Sequence, residues 1–366
     1  MFGSFFPFAS DSRKTQMSAT RVSEVVISRP QAPQRTHQIS VLRASKADWI
    51  DANDGRLAYI AASAGQYSSY LLRSDGAVDK VSGGRGVAKT YDPVDMEDPY
   101  VGASAGPIAS YLLHESGAVD RVTGFQGVIS RTYDQVKYTA VSAGASSSYL
   151  LRDDGTCDCM RSVDNLVPMG PKDGADTVKY TMVGAGSEAS YLLRSDGAVH
   201  RTRGSGQVDT TFRCDASPYV AISTQIAAVK NDKGGGGATA TYLVRKDGKV
   251  DRVRTFGDVC QTLWPPEGLK YIAASAADMV SYLLRSDGAV DRVVGKLKGG
   301  AKVDCTINPP PGVKYVGVSA GQWASYLLRD DGCVDRTTNG GKITATLAPS
   351  PAGAPPPESG GCCAVM

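Results

Sequence analysis

The sequence predicts an all-β protein, a seven-bladed β-propeller of four-stranded antiparallel blades. A Tyr-Leu-Leu tripeptide, once Tyr-Leu-Val, begins at seven positions: Tyr70, Tyr111, Tyr149, Tyr191, Tyr242, Tyr282 and Tyr326. The successive spacings are 41, 38, 42, 51, 40 and 44 residues, and repeats of this length are typical of propeller blades. No helical periodicity of useful length occurs between Tyr59 and Leu347, so each repeat should consist of strands.

The first repeat shows how one blade is assembled. Tyr59–Ala64 is rich in β-branched and small residues and predicts the first strand, and Ser69–Arg73 predicts the second. Ser74-Asp75-Gly76 matches a type I turn closed by a glycine bulge, which is a common hairpin connection. Ala77–Val81 predicts the third strand, and the more variable Gly86–Tyr91 predicts the fourth.

The repeats are expected to close into a ring. A four-stranded sheet with apolar residues on both faces is not stable alone, and stacking such sheets around an axis buries both faces. A linear solenoid is the alternative, but it needs atypical capping repeats, and the terminal copies here are among the most regular. Residues 22–42 contain Val25–Ile27 and Ile39–Leu42, either of which could add a strand where the ring closes.

Composition narrows the class of protein. The 366 residues are 42% hydrophobic and 21% charged with a net charge of +3, and the basic residues are interleaved with acidic ones, so no nucleic acid partner is expected. No stretch approaches the roughly 20 apolar residues of a membrane span. The cysteines lack the spacing of a disulfide scaffold and residues 1–8 lack a signal-peptide pattern, which favours a cytosolic protein. We predict a flexible arm at 1–21, a propeller at 22–347 with a strand region at 22–58 and repeats at 59–347, and a Pro/Gly-rich tail at 348–366.

The third strands carry a repeated acidic-basic pair. Adjacent strand residues point to opposite faces, so an Asp of one blade could meet a Lys or Arg of the next. Two copies depart from the pattern, with Asp158-Cys159 and His200-Arg201. If each basic residue pairs with the Asp of the following blade, the missing basic residue and the missing Asp fall at the same interface. If each basic residue pairs with the Asp of the preceding blade, two charges lack a partner, and a buried unpaired charge is costly. The predicted pairs are Lys80–Asp120, Arg121–Asp158, Arg201–Asp251, Arg252–Asp291, Arg292–Asp335 and Arg336–Asp79. A solvated charged rim and a ligand-binding ring are the alternatives.

The interface with the two departures also gathers soft ligands. Cys157 and Cys159 alternate along one strand, so both sulfurs lie on one face, and His200 could approach from the next blade. Three such groups could hold zinc, but no fourth ligand is evident in the sequence beyond Cys214. Buried thiols are the alternative. We expect no resident metal or cofactor.

The repeats resemble a known family. Ala64-Gly65, Ser69, Leu72 and Asp75-Gly76, with equivalents in most copies, are similar to the regulator of chromosome condensation repeat, and the resemblance covers about residues 59–347. The family's His is replaced by small residues, and its Trp-Gly ending by valines. The resemblance implies a propeller fold. It also implies one of the family's functions, which include nucleotide-exchange factors for small GTPases, protein inhibitors, ligase-associated modules and ciliary scaffolds.

Two kinds of loop are candidates for partner binding. Loops between first and second strands gather on one face, and their large apolar side chains could anchor a partner or simply plug the channel: Tyr67, Ile108, Met279 and Trp323. The fifth copy carries an insertion, Thr224–Gly237, with Lys230 and Lys233 and four consecutive glycines. Exchange factors of the resembled family use a protruding loop, so this insertion could contact a partner. A tolerated surface insertion is the alternative.

The tail predicts lipid attachment. Cys363-Ala-Val-Met366 is a C-a-a-X sequence whose Met favours a farnesyl group, and Cys362 could accept palmitate as the second membrane signal. A chance match is the alternative.

The sequence therefore predicts a non-catalytic, lipid-anchored interaction module or scaffold at the cytosolic face of a membrane or at a cilium. Its three histidines, His37, His114 and His200, accompany no nucleophile or metal pattern, so no enzyme is predicted. One alternative is an exchange factor for a small GTPase. The other is a structural subunit of a large assembly, docked through the aromatic arm at residues 2–8.

Overall fold

Seven four-stranded antiparallel sheets follow one another along the chain, and each sheet consists of four consecutive strands. The computed structural model describes residues 56–350 apart from 83–85, 96, 125, 163–164, 172–176, 205, 225–240, 255–256, 278–279, 296–299 and 339; at 162 it describes the backbone only. No helix occurs within this described part. The predicted all-β, seven-bladed propeller is confirmed.

The strands have the following bounds. Blades 1 and 2 contain β1 (Tyr59–Ala64), β2 (Ser69–Arg73), β3 (Val78–Val81), β4 (Val87–Tyr91), β5 (Tyr100–Ser104), β6 (Ala109–His114), β7 (Val119–Thr123) and β8 (Val128–Tyr133). Blades 3 and 4 contain β9 (Tyr138–Ser142), β10 (Ser148–Arg152), β11 (Cys157–Ser162), β12 (Asn165–Met169), β13 (Tyr180–Gly184), β14 (Ser190–Arg194), β15 (Val199–Thr202) and β16 (Val208–Phe212). Blades 5, 6 and 7 contain β17 (Tyr219–Thr224), β18 (Thr241–Arg245), β19 (Val250–Val253), β20 (Val259–Leu263), β21 (Tyr271–Ala276), β22 (Ser281–Arg285), β23 (Val290–Val294), β24 (Lys302–Ile307), β25 (Tyr315–Ser319), β26 (Ser325–Arg329), β27 (Val334–Thr337) and β28 (Ile343–Leu347).

The two faces of the ring follow from the strand order. Turns between second and third strands and the connections between blades lie on one face, which we call the turn face. Loops between first and second strands and turns between third and fourth strands lie on the other, the loop face. Any feature can therefore be assigned to a face from its place in the repeat.

A glycine in every second-to-third turn joins its blade to the next one. All seven have φ between +79° and +96°, a region that other residues seldom adopt. Each glycine carbonyl accepts a hydrogen bond from the first-strand tyrosine of the following blade, as Gly76 does from the Tyr100 amide at 3.0 Å. The carbonyl of Gly332 in blade 7 accepts from the Tyr59 amide at 2.8 Å. The last blade thus contacts the first as any other pair does.

A second set of hydrogen bonds links neighbouring blades near the axis, where their first strands contact one another. The Ser63 Oγ of blade 1 accepts from the Ala105 amide of blade 2 at 2.9 Å. The same bond closes the ring, since Ser319 Oγ accepts from the Ala64 amide at 2.8 Å. Blade 4 has Gly184 at this position, and there the Thr224 hydroxyl of blade 5 donates to the Ala185 carbonyl instead, at 2.9 Å. The repeated Ser and Ala residues therefore join neighbouring blades by hydrogen bonds; we call each such blade–blade junction a seam.

The hydrophobic core is divided among the spaces between blades. In the Tyr-Leu-Leu tripeptide of blade 1, Tyr70 and Leu72 belong to a buried cluster with Leu112 of blade 2, whereas Leu71 belongs to a cluster with Leu328 of blade 7. Successive side chains point to opposite faces of a strand, so one tripeptide contributes to two interfaces. This explains why the tripeptide is repeated so faithfully.

The third-strand carboxylates do not pair with the preceding blade, and this prediction is wrong. In blade 5, Asp251 accepts hydrogen bonds from Tyr219 at 2.8 Å, from Arg245 at 2.6 and 2.8 Å, and from Thr262 at 2.7 Å, all within the blade. Asp291 and Asp335 accept from the same kinds of residue. The remaining carboxylates are also bound inside their own blades: Asp79 by Tyr59, Thr90 and Arg73, Asp120 by Tyr100, His114 and Thr132, and Asp158 by Tyr138 and Arg152.

The correction has a simple physical reason. The antiparallel register places Leu71 opposite Asp79, and Tyr59 opposite Arg73. Because Arg73 is two residues beyond Leu71, it shares a face of the blade with Asp79 and reaches the carboxylate before any group of the neighbouring blade.

The third-strand basic residues point to the opposite face and have various partners. Arg201 and Arg292 pair with aspartates of their own fourth strands, Asp209 at 3.0 Å and Asp304 at 2.7 Å. The other predicted members of the set do not reach the carboxylates assigned to them within the described residues: Lys80, Arg121, Arg252 and Arg336.

The region predicted to complete the ring, residues 22–42, lies outside the described residues, as do the arm at 1–21 and the tail from 351 onwards.

Candidate protein-interaction site

Three large apolar side chains project from the loop face on consecutive blades. Trp323 of blade 7, Tyr67 of blade 1 and Ile108 of blade 2 are 70%, 59% and 68% exposed, and they occupy the same position in the first-to-second loop. We call these three residues the apolar sector. The equivalent residues of blades 3 and 4 are Ser146 and Glu188. Large apolar side chains are therefore absent from this position in blades 3 and 4.

The loops of the apolar sector are tightly built. In blade 1 the Gly65 amide donates to the Ser68 carbonyl at 3.1 Å. In blade 2 a Cβ added at Gly106 would lie 2.4 Å from the Ala109 carbonyl oxygen and 2.7 Å from the Cβ of Ala143. Only glycine allows so close a turn, and the turn directs the side chain at its tip into solvent.

A crevice separates Tyr67 and Ile108 of the apolar sector. It encloses about 200 Å³ and runs between Tyr67 and Ile108, with Tyr70, Ser110 and Val122 among its lining residues. The crevice is flanked by exposed apolar side chains, an arrangement typical of the pockets beside binding hot spots.

A second crevice lies on the other side of Ile108, between blades 2 and 3. It encloses about 250 Å³, and Tyr111, Arg121 and Met160 line it together with the serine-rich loop of blade 3. The Tyr111 hydroxyl lies 3.1 Å from the Met160 Sδ. We call this cavity the Arg121 crevice.

The sequence predicts the exposed residues of the apolar sector but not the two crevices beside them. Tyr67, Ile108 and Trp323 were predicted as partner contacts, and the structure exposes all three on one face. Arg121 was assigned to an ion pair with Asp158, which instead binds Arg152 at 2.6 Å. The signal in the sequence was the serine at position 130, where blades 4 and 6 have an aspartate.

The other predicted contacts lie outside the described residues. Met279, Lys230 and Lys233 fall in gaps of the structure, and Cys362 and Cys363 lie in the tail. These remain predictions from the sequence.

The predicted soft-ligand group does not assemble into a metal site among the described residues. The two ring nitrogens of His200 lie 3.0 Å from the Tyr180 hydroxyl and 2.8 Å from Arg194 Nη1. Burial and the charge of Arg194 lower the pKa of His200 to about 4. Cys157 and Cys159 are fully buried, and burial raises the pKa of the Cys157 thiol, which makes it unreactive.

The turn face carries a different exposed aromatic residue. Trp264 is 68% exposed, and the Lys249 ammonium lies 4.1 Å from its ring centre. This residue follows the fourth strand of blade 5, so it lies on the face opposite the apolar sector. It provides an internal comparison for the loop face.

Comparisons with solved structures show the β-propeller fold. The chain is similar to human WBSCR16, with a TM-score of 0.54 and 12% identity, over 74% of this chain and 86% of that one. It is similar to the CRINKLY WD40 ectodomain of the Arabidopsis thaliana receptor kinase ACR4, with a TM-score of 0.52 and 16% identity, over 77% and 95% of the two chains. A chain of the mitotic checkpoint complex matches with a TM-score of 0.57 and 10% identity, over 77% and 94%.

No family model matches the chain, and no curated protein matches it. The resemblance to the regulator of chromosome condensation repeat therefore remains an expectation. Among the described residues, no helix is long and apolar enough to cross a membrane. What the structure defines is a class, the seven-bladed β-propeller, a fold typical of protein-interaction modules.

Proposed function

We propose that this protein is a non-catalytic interaction module that binds a protein partner through the apolar sector of its loop face. The observation that carries the proposal is the exposure of Trp323, Tyr67 and Ile108 at one loop position on three consecutive blades. Exposed aromatic and aliphatic anchors beside pockets are typical of binding hot spots. Polar residues at the same position in blades 3 and 4 limit the site to one side of the ring.

We further propose that the C-terminal tail anchors the module to a membrane through a prenyl group on Cys363. β28 ends at the turn face, so the chain leaves the propeller opposite the apolar sector. Twelve residues, rich in proline and glycine, lie between Ser350 and Cys363. An anchor attached there would leave the loop face pointing towards the cytosol.

Affinity purification from the source cells with three tagged variants tests both parts. The first variant changes Tyr67, Ile108 and Trp323 to Ser, and the second changes Trp264 and Val303, which are exposed elsewhere, to Ser. We expect the first to lose the partner and the second to keep it. The third variant, Cys363→Ser, should keep the partner but leave the membrane fraction.

Loss of the partner in the Trp264 variant, or its retention in the triple variant, would contradict the loop-face assignment. The resemblance-based alternative, an exchange factor for a small GTPase, is separated by a nucleotide-release assay across GTPase families. If the triple Ser variant still accelerates nucleotide release from a GTPase, the exchange activity lies elsewhere on the propeller.

A further inference from the structure

One arginine beside the apolar sector has no counter-charge. Arg121 donates from Nη1 to Ser130 Oγ at 3.1 Å, and its buried Nε has no hydrogen-bond partner. No described carboxylate lies within ion-pair distance of its guanidinium. Its cross-strand neighbour is a second cation, Arg131. A half-buried guanidinium in this setting favours an anion.

Two other blades show how this position can be neutralised. Each fourth strand except that of blade 3 has a bulged residue beside the third-strand basic side chain. In blades 4 and 6 that residue is an aspartate, and the carboxylates of Asp209 and Asp304 bind Arg201 and Arg292. In blade 2 the bulged residue is Ser130, which satisfies one nitrogen but supplies no charge.

In three other seams of the ring, a turn of the next blade covers the basic side chain. In blades 2, 5 and 7, glycines of the third-to-fourth turn with positive φ lie against the basic side chain of the preceding blade: Gly127 against Lys80, Gly257 against Arg201 and Gly341 against Arg292. The corresponding turn of blade 3 joins β11 to β12 and contains no glycine between Cys157 and Met169. Arg121 lines an open crevice instead.

The rest of the crevice is apolar or hydroxylic. Ile108, Tyr111 and Met160 form its apolar wall, and the serine-rich loop of blade 3 supplies hydroxyl groups. Ile108 is shared with the crevice that leads to Tyr67. A ligand that fits both crevices needs a carboxylate next to an apolar group.

We propose that the Arg121 crevice binds the carboxylate of an Asp or Glu side chain in an extended segment of the partner protein, while an adjacent apolar side chain of that segment packs on Ile108. The inference rests on the proposed function, because it specifies the partner of the same loop face. The carboxylate supplies the charge that Ser130 does not.

Selection from a displayed library of random twelve-residue peptides tests the inference. The full-length protein is the bait, and the enriched consensus is synthesised with its acidic residue and with the matching amide. Titrations use the wild type, Arg121→Gln and Arg254→Gln. Arg254 is an exposed loop-face arginine of blade 5, so its substitution removes the same charge away from the crevice.

The inference predicts an enriched motif with an acidic residue beside an apolar one. Changing the acid to its amide should weaken binding to the wild type and to Arg254→Gln by about 10- to 100-fold, as expected for a charge-assisted hydrogen bond. The Arg121→Gln variant should bind both peptides equally and weakly. Its circular dichroism spectrum should be unchanged, because Ser130 is the one side-chain hydrogen-bond partner of Arg121 within the described residues.

Three results would overturn the inference: no enriched peptide, peptides without acidic preference, or an acidic preference that survives Arg121→Gln. A requirement for a phosphorylated peptide in place of the acidic one would also overturn it. Peptides that lack an acid but lose binding on Ile108→Ser would leave the proposed function intact. The purification with the triple Ser variant decides that function separately.

Discussion

Replacing Asp251 by alanine should lower the free energy of unfolding of the propeller far more than replacing a nearby exposed aspartate. Asp251 is 1% exposed and accepts hydrogen bonds from Tyr219, Thr262 and two nitrogens of Arg245. Removing it leaves a partly buried guanidinium without its counter-charge and a buried tyrosine hydroxyl without an acceptor. Removing one partner of a buried ion pair costs about 3–5 kcal/mol.

The matched control is Asp258→Ala in the same blade. Asp258 is exposed and lies 3.7 Å from an exposed Arg254, and such surface pairs contribute about 0–1 kcal/mol. Urea unfolding followed by circular dichroism gives both free energies of unfolding if the slope is unchanged. The midpoint of thermal unfolding should fall by about 2 °C for each kcal/mol in a domain of this size. A difference between the two variants below about 1 kcal/mol would refute the role assigned to the carboxylate clusters.

Two further predictions concern pH and ring closure. Burial and the charge of Arg194 lower the pKa of His200 to about 4 in the folded protein, whereas the pKa of an unfolded histidine is about 6.5. The stabilisation by neutral His200 is therefore fully present above about pH 6.5 and is lost as the pH falls towards 4. Between pH 7 and 4.5, the free energy of unfolding measured in urea should fall by about 2.5 kcal/mol more for the wild type than for His200→Gln. An equal fall in both proteins would contradict this prediction. Ser319→Ala, which removes the acceptor of the Ala64 amide, should cost about 1–3 kcal/mol, as Ser63→Ala should at the next seam. A neutral Ser319→Ala beside a destabilising Ser63→Ala would indicate an open ring.

The fold was predictable because every copy of the repeat presents the same strand pattern and the same turn. The Ser-Asp-Gly sequence predicts a turn with a glycine bulge, and Gly76 adopts φ of +88° there. The Ser-Ala pair and the first-strand tyrosine looked like ordinary strand residues. Their roles in joining blades depend on atoms of the next repeat, which single-repeat patterns do not reveal.

The ion-pair prediction failed because it considered the third strand alone. The arginine that ends the second strand, such as Arg245, lies on the same face as the aspartate and is closer than any neighbour across the interface. The Arg121 crevice was harder to predict, because it arises from a serine in one strand and the serine-rich loop of another blade. Each is unremarkable in sequence, and only the fold brings them together.

Photo-crosslinking measures most directly whether the loop face binds the partner. A benzoylphenylalanine is introduced at position 67, 108 or 323, or at 264 on the turn face, where Trp264 is as exposed as Ile108. Irradiation of the source cells should attach one and the same protein to positions 67, 108 and 323, and not to 264. Crosslinking of that protein from position 264 alone, or equally from both faces, would contradict the account.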